Sequence, residues 1–314
     1  MAMYRVVNRR DFISGAAAAI GGVMLGGCQT RPQNGRGTDG RVPYGEMIGD
    51  RLWMWGHHRD SFKALKGSKE QYNLPFGTRI DMAAACREMN IPGCFIVRWT
   101  NNPTVSELPE YMKQFEDMRR IGFSITDSAS ETFEEKVRLG FEYADKMPNL
   151  TTLIMDDFWA VKSFTRSVSE IESLKGRMVQ RNLKLGVVLY SDRKEIKSEA
   201  KAVLDLCDEV TVWVWSGKNT GDIKDQVGRL RDLVGNEKPL LLGQYMWDFG
   251  GRKPMPADRM ENQLAQTGDL LDTGAISGVI FHCTPLVDMD LDAVRISKAW
   301  VKANAGRPWA SKIG

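Results

Sequence analysis

A chain of 314 residues is long enough for one large hydrophobic core or two modest ones. Its 43 Lys and Arg against 40 Asp and Glu leave a formal charge of +3, which gives no electrostatic reason to expect nucleic acid as a partner, and 42% hydrophobic against 26% charged residues is the balance of a globular protein. The five cysteines, Cys28, Cys86, Cys94, Cys207 and Cys283, are too few and too scattered for a disulfide scaffold, and no CxxC spacing marks a zinc site.

The chain opens on paired arginines, Arg9 and Arg10, directly before Asp11-Phe12-Ile13, and then runs through a Gly- and Ala-rich apolar stretch to Leu25-Gly26-Gly27-Cys28. The order matches a twin-arginine signal ending in a lipobox, so residues 1–28 are expected to be an export signal whose Cys28 is acylated. The stretch is too short and too weakly apolar to span a bilayer, which takes about 20 strongly apolar residues. Residues 29–47 are polar with Gly and Pro and read as a flexible tether. The expected partners of this region are the twin-arginine translocase during export and the membrane through the lipid on Cys28. The expected location is the periplasmic side of the cell envelope, with Gln29 after the cysteine implying outer-membrane sorting by resemblance to diderm lipoproteins. Loss of the signal removes Arg5, Arg9 and Arg10 with Asp11, which leaves the body nearly neutral.

From residue 48 to 306 the apolar pattern alternates in kind eight times, with a short tail at 307–314. Short β-branched or aromatic runs bounded by Gly, Asn, Asp or Pro predict strands at 52–58, 93–99, 122–127, 151–158, 183–191, 209–216, 239–249 and 277–283. Helical spacing follows each of them, at 81–89, 106–120, 131–146, 167–180, 194–207, 222–234, 257–271 and 291–303. Thr132 with Glu135 and Ser167 with Glu170 have the spacing of capping boxes. Eight strand–helix units in one uninterrupted body predict a single (β/α)8 TIM barrel of the α/β class. A doubly wound open sheet would normally carry a Gly-rich phosphate turn, and Gly217-Lys218-Asn219-Thr220-Gly221 has neither GxGxxG nor Walker spacing. No nucleotide cofactor is therefore expected.

A barrel gathers its chemistry at the C-terminal ends of its strands, where the loops converge. The residues predicted there are rich in aromatics and carboxylates: Trp55, His57 and His58 after the first strand; Arg98 and Trp99 after the second; Asp127 after the third. The fourth adds Asp156, Asp157 and Trp159, the fifth Tyr190, the sixth Trp215, and the seventh Gln244, Tyr245, Trp247 and Asp248. The eighth gives His282, with Asp288 soon after. Indole faces beside hydroxyl-binding polar groups are what a carbohydrate needs, although any one of these aromatics could equally fill the barrel interior. Asp156 and Asp157 stand adjacent, so strand alternation should turn only one toward the mouth, with Asp157 favoured; Asp248 lies on a strand across the mouth from them.

On Met155-Asp156-Asp157-Phe158-Trp159 and Tyr245-Met246-Trp247-Asp248 the chain resembles the (β/α)8 glycoside hydrolases, whose catalytic carboxylates stand on the fourth strand and on the sixth or seventh. It departs from their commonest pattern, an Asn-Glu pair on the fourth strand and a Glu on the seventh. The resemblance implies a glycan or glycoside substrate with Asp157, Asp248 and Asp156 as catalytic candidates, the other named side chains as substrate contacts, and no metal. Two other readings compete. One is a metal-dependent hydrolase in which His57 or His58 meets His282, with Asp157 or Asp288 completing the set. The other is a non-catalytic carbohydrate-binding lipoprotein.

Overall fold

The computed structural model describes residues 47–67, 72–191 and 198–309. All of them belong to the larger of two units into which the chain divides, Gly40–Gly314. The expected signal, Cys28, nearly all of the tether and the last residues of the tail lie outside the described residues.

Eight parallel strands form the sheet: β1 (Leu52–Gly56), β2 (Gly93–Ile96), β3 (Arg120–Ser124), β4 (Leu150–Met155), β5 (Lys184–Tyr190), β6 (Glu209–Trp213), β7 (Leu240–Tyr245) and β8 (Gly278–His282). Each pairs with its neighbours in sequence and β1 pairs with β8, so the sheet closes into the expected TIM barrel. The helices between them are α1 (Ser61–Ala64), α2 (Met82–Glu88), α3 (Leu108–Tyr111), α4 (Phe133–Lys146), α5 (Val168–Val179), α6 (Ser198–Leu206), α7 (Ile223–Val234), α8 (Ala257–Asp272) and α9 (Asp292–Asn304). Both capping boxes form: Thr132 and Ser167 accept from the backbone of Glu135 and Glu170, whose carboxylates reach back to the cap residues.

Register decides which side chains face inward. Trp53 aligns with Gly93 and Ile280, Phe95 with Gly122, Ile154 with Gly186, and Trp213 with Gly243. The large members of this set fill the interior because the small ones face them. A Cβ on Gly122 would stand 2.3 Å from the Phe95 ring, and one on Gly243 would stand 1.9 Å from the Trp213 ring. Trp53 and Phe95 stack with centroids 4.4 Å apart, Trp55 meets Trp213 edge-on at 5.3 Å, and the result is a solid plug rather than a pore. The alternate residues face the helices: Leu153 meets Gly140 of α4, Gln244 donates to Thr267 of α8, and Phe281 meets Trp300 of α9.

The N-terminal end is closed by residues from both ends of the described chain. Met47 bridges Pro308, and Arg51 lies 3.3 Å over the Trp309 ring. Arg120 stands 4.3 Å over Trp53 and donates to Leu52 O.

All eight strands end one to four residues before the expected bound and α1 was not expected; two of the boundary differences have identifiable reasons. The helix expected at 106–120 is only α3 followed by a tighter turn at Met112–Phe115, because Asn149 Nδ2 binds the Phe115 and Met118 carbonyls at 2.8 and 2.7 Å. Arg120 consequently starts β3. The strand expected at 239–249 ends at Tyr245, after which Trp247–Asp248 pairs antiparallel with Lys253–Pro254.

Candidate functional site

The inward rows of β1, β5, β6, β7 and β8 end on Trp55, Tyr190, Trp213, Tyr245 and His282, so strand alternation builds an aromatic layer just below the mouth. His282 is its centre. Tyr245, Phe249, His57, Trp213 and Trp55 surround its ring at centroid distances of 4.8, 4.9, 5.3, 5.5 and 6.5 Å. Above this layer Trp215 is partly exposed and crosses Tyr190, Tyr245 and Tyr72 edge-on, while Trp99 lies against His57. Trp159 is also partly exposed and meets Phe158 edge-on.

Asp156 continues the inward row of Thr152 and Ile154, whose side chain lies over Gly186 of β5. Alternation should then turn Asp157 away. Instead the strand has ended at Met155, and Asp157 adopts a left-handed backbone with φ 49°, a conformation that an Asp accepts more readily than most residues. The turn brings its carboxylate to Tyr190, whose hydroxyl donates at 2.6 Å. The structure thus brings both carboxyls toward the mouth, in different surroundings. Burial, then the charges of Asp157 and Asp127, push the Asp156 carboxyl well above its ordinary value. Burial and then Asp157 likewise push the Tyr190 and Tyr245 hydroxyls up, so both remain proton donors. Strained, non-glycine left-handed residues gather where a site over-determines its geometry, and Asp157 sits at such a place.

Burial also lowers His57 to about 4, and burial followed by His57 holds His282 well below the usual imidazole value. Both rings are neutral at pH 7. One ligand atom each from His57, His282 and Cys283 lie within 4.8 Å of one another. Cys283 was not among the sequence candidates. A lone cysteine carries no spacing signal.

Other sequence candidates are placed elsewhere. Arg98 is fully buried and donates to Glu131, Asn101 and the Pro103 carbonyl. Asp127 is paired with Lys136 at 2.8 Å and accepts from the backbone of Arg98 and Ala129. These groups brace the loops after β2 and β3. Asp248 is 2% exposed, and its Oδ1 accepts from the Gly217 and Gly251 amides at 2.9 and 2.7 Å, which ties the loops after β6 and β7 together. Asp288 is exposed and accepts from the Arg79 and Ile80 amides. His58 accepts from the Asp60 amide and lies against Tyr111, apart from the His57–His282 cluster. Gln244 faces α8, and the Trp247 indole donates to the Tyr72 carbonyl. Phe249 and Tyr72 join the aromatic layer without having been singled out; Phe249 does so because the strand expected to reach it ends at Tyr245.

No family model matches the chain, and no curated protein matches it. Among solved structures it is similar to the second catalytic domain of the group II chitinase of Ostrinia furnacalis, at 7% identity and a TM-score of 0.50 over 84% of this chain and 99% of that one. It is also similar to the GH18 chitinase ChiB of Flavobacterium johnsoniae, at 12% identity and 0.47 over 82% and 96%. The tryptophan synthase alpha-subunit of Pyrococcus furiosus matches at 10% and 0.48 over 83% and 99%. At these identities the likeness speaks for the fold, and the chain is a TIM barrel.

Proposed function

We propose that the chain is a glycoside-hydrolase-like barrel, exported and lipid-anchored, that acts on a glycan or glycoside through the carboxyl pair at the end of β4. The observation that carries this reading is the pair's asymmetry. Asp156 has a raised pKa, and Asp157 accepts a 2.6 Å hydrogen bond from Tyr190. A carboxyl that burial keeps protonated, next to one held in place by a hydrogen bond, divides the roles of acid and stabilising carboxylate between them. Asp156 keeps its proton and delivers it to the leaving oxygen; Asp157, oriented by Tyr190, supports the positive charge that develops at the sugar carbon, where a water molecule adds and returns a proton to Asp156. The partly exposed Trp99, Trp159 and Trp215 offer faces on which sugar rings pack. Asp248 belongs to the loop scaffold in this reading, since its oxygen is already held by two backbone amides. The shared barrel with a chitinase domain is compatible with the proposal but does not carry it, because tryptophan synthase shares the barrel equally well.

The test is turnover of a panel of aryl glycosides and oligosaccharides by the purified protein. Asp156→Asn and Asp157→Asn are expected to lower kcat by roughly 10²–10⁴-fold while glycan binding persists. Full turnover in either variant refutes the assignment, and loss of binding without any measurable turnover in the parent favours a sugar-binding module. The address rests on residues 9–28. Cys28→Ala is expected to release the protein from the membrane fraction, and continued membrane retention would contradict the lipid anchor.

A further inference from the structure

We propose that His57, His282 and Cys283 together form a binding site for one transition-metal ion of the Zn(II) type, across the barrel from β4 and its carboxyl pair and independent of it. The donor atoms come from the ends of β1 and β8, which neighbour each other only because the barrel closes. A tetrahedral ion bound at 2.0–2.3 Å would hold such donors roughly 3.5 Å apart, so a set within 4.8 Å closes on the ion by small side-chain rotations.

Three further observations point at a ligand. His57 Nδ1 faces the Val97 carbonyl at 3.4 Å, the arrangement in which a ligating imidazole gives its other N–H to a backbone oxygen and presents Nε2 to the ion. The His57 backbone is fixed by Thr284, whose hydroxyl oxygen accepts from His57 N at 2.9 Å and donates to His57 O at 2.8 Å. That pair of bonds locks the β1 end to the residue after Cys283, so the donors are preorganised. Finally, His282 is 7% exposed and its Nδ1 is buried without a hydrogen-bond partner, an unmet polar atom within the cluster. Around it Trp55, Trp213, Tyr245 and Phe249 form an apolar shell that excludes competing water.

Two imidazoles and a thiolate select borderline and soft ions over Mg(II) and Ca(II), which take oxygen ligands. Three protein donors leave a fourth position open toward a small ligand. Cys283 binds as the thiolate, so uptake of the ion releases its proton to solvent. The thiol, carrying no charge before binding, adds an apolar group to the same shell.

The experiment titrates the chelator-stripped full-length protein with Co(II). One equivalent is expected to produce a thiolate-to-cobalt charge-transfer absorption in the near ultraviolet. Mg(II) should not displace the cobalt, and Zn(II) should. Cys283→Ser is expected to abolish the band, and His57→Gln or His282→Gln to weaken cobalt binding at least tenfold. The parent protein alone decides the matter if the variants fold poorly: no band at stoichiometric cobalt overturns the proposal. A band that survives in Cys283→Ser also overturns it, since one of Cys28, Cys86, Cys94 and Cys207 would then be the ligand. Neither readout depends on glycoside turnover, so this inference and the hydrolase reading fail separately.

Discussion

Gly243→Ala tests the plugged barrel directly. In an ordinary strand this change stabilises by about 0.4–1 kcal/mol, because alanine has less backbone freedom to lose. Here the new Cβ would stand 1.9, 2.2 and 2.4 Å from three atoms of the Trp213 ring, far inside the roughly 3.5–4.0 Å of a normal carbon contact. The ring cannot swing aside, since Trp55, Tyr245 and His282 flank it at 5.3, 4.8 and 5.5 Å and Trp213 is 1% exposed. Steric cost therefore outweighs the backbone gain, and the net loss is expected near the top of the usual overpacking range, about 3 kcal/mol. At about 2–4 °C per kcal/mol for a domain of this size class, the melting midpoint should fall by about 6–12 °C. Urea unfolding of the parent, Gly243→Ala, Trp213→Leu and the double variant completes the test. The double variant should be more stable than the sum of the two losses predicts, by roughly 1–3 kcal/mol. A Gly243→Ala midpoint indistinguishable from the parent, or strict additivity, would refute the packing argument.

Asp156→Asn should flatten the dependence of stability on pH. A carboxyl whose folded pKa lies above its unfolded value favours the fold fully at low pH, and that contribution disappears as pH rises through the folded pKa. The stability of the variant relative to the parent is therefore expected to rise between pH 4 and pH 8; parallel unfolding profiles would contradict the raised pKa. Asp248→Ala should cost roughly 2–5 kcal/mol, because the Gly217 and Gly251 amides lose their acceptor in a buried place. Asp248→Asn keeps one acceptor oxygen and should hold kcat within about tenfold of the parent, in contrast to the β4 carboxyls; a much larger drop would return Asp248 to the catalytic machinery.

The barrel was legible because short β-branched or aromatic runs alternate eight times with stretches of helical spacing, a signal that each strand–helix unit repeats. The capping boxes of α4 and α5 were legible because they are local. Side-chain direction at the mouth was not. Leu153-Ile154-Met155 is apolar throughout and has no parity of its own; Gly140 of α4 and Gly186 of β5 decide it, and they lie in other segments. Arg98 and Asp127 have the residue types of ligand contacts, but Glu131 and Lys136 of the next loop and helix engage them. Asp248 resembles a catalytic acid in sequence because its partners are backbone amides, which every sequence contains. Asp157 reaches the mouth only through a left-handed turn that strand alternation cannot anticipate.

The placement of Trp55 and Trp213 beside His282 gives the protein a built-in optical gauge. Their rings lie 6.5 and 5.5 Å from the imidazole and 5.3 Å from each other, close enough for excited-state coupling and for quenching by whatever changes at that ring. Trp300, packed on Phe281 behind β8, and Trp309, stacked on Arg51 at the opposite end, lie outside this cluster and supply a steadier background. A shift in emission or in near-ultraviolet circular dichroism therefore reports on the mouth and the layer beneath it, where Trp99, Trp159, Trp215 and Trp247 also stand, without a label and without knowledge of the substrate.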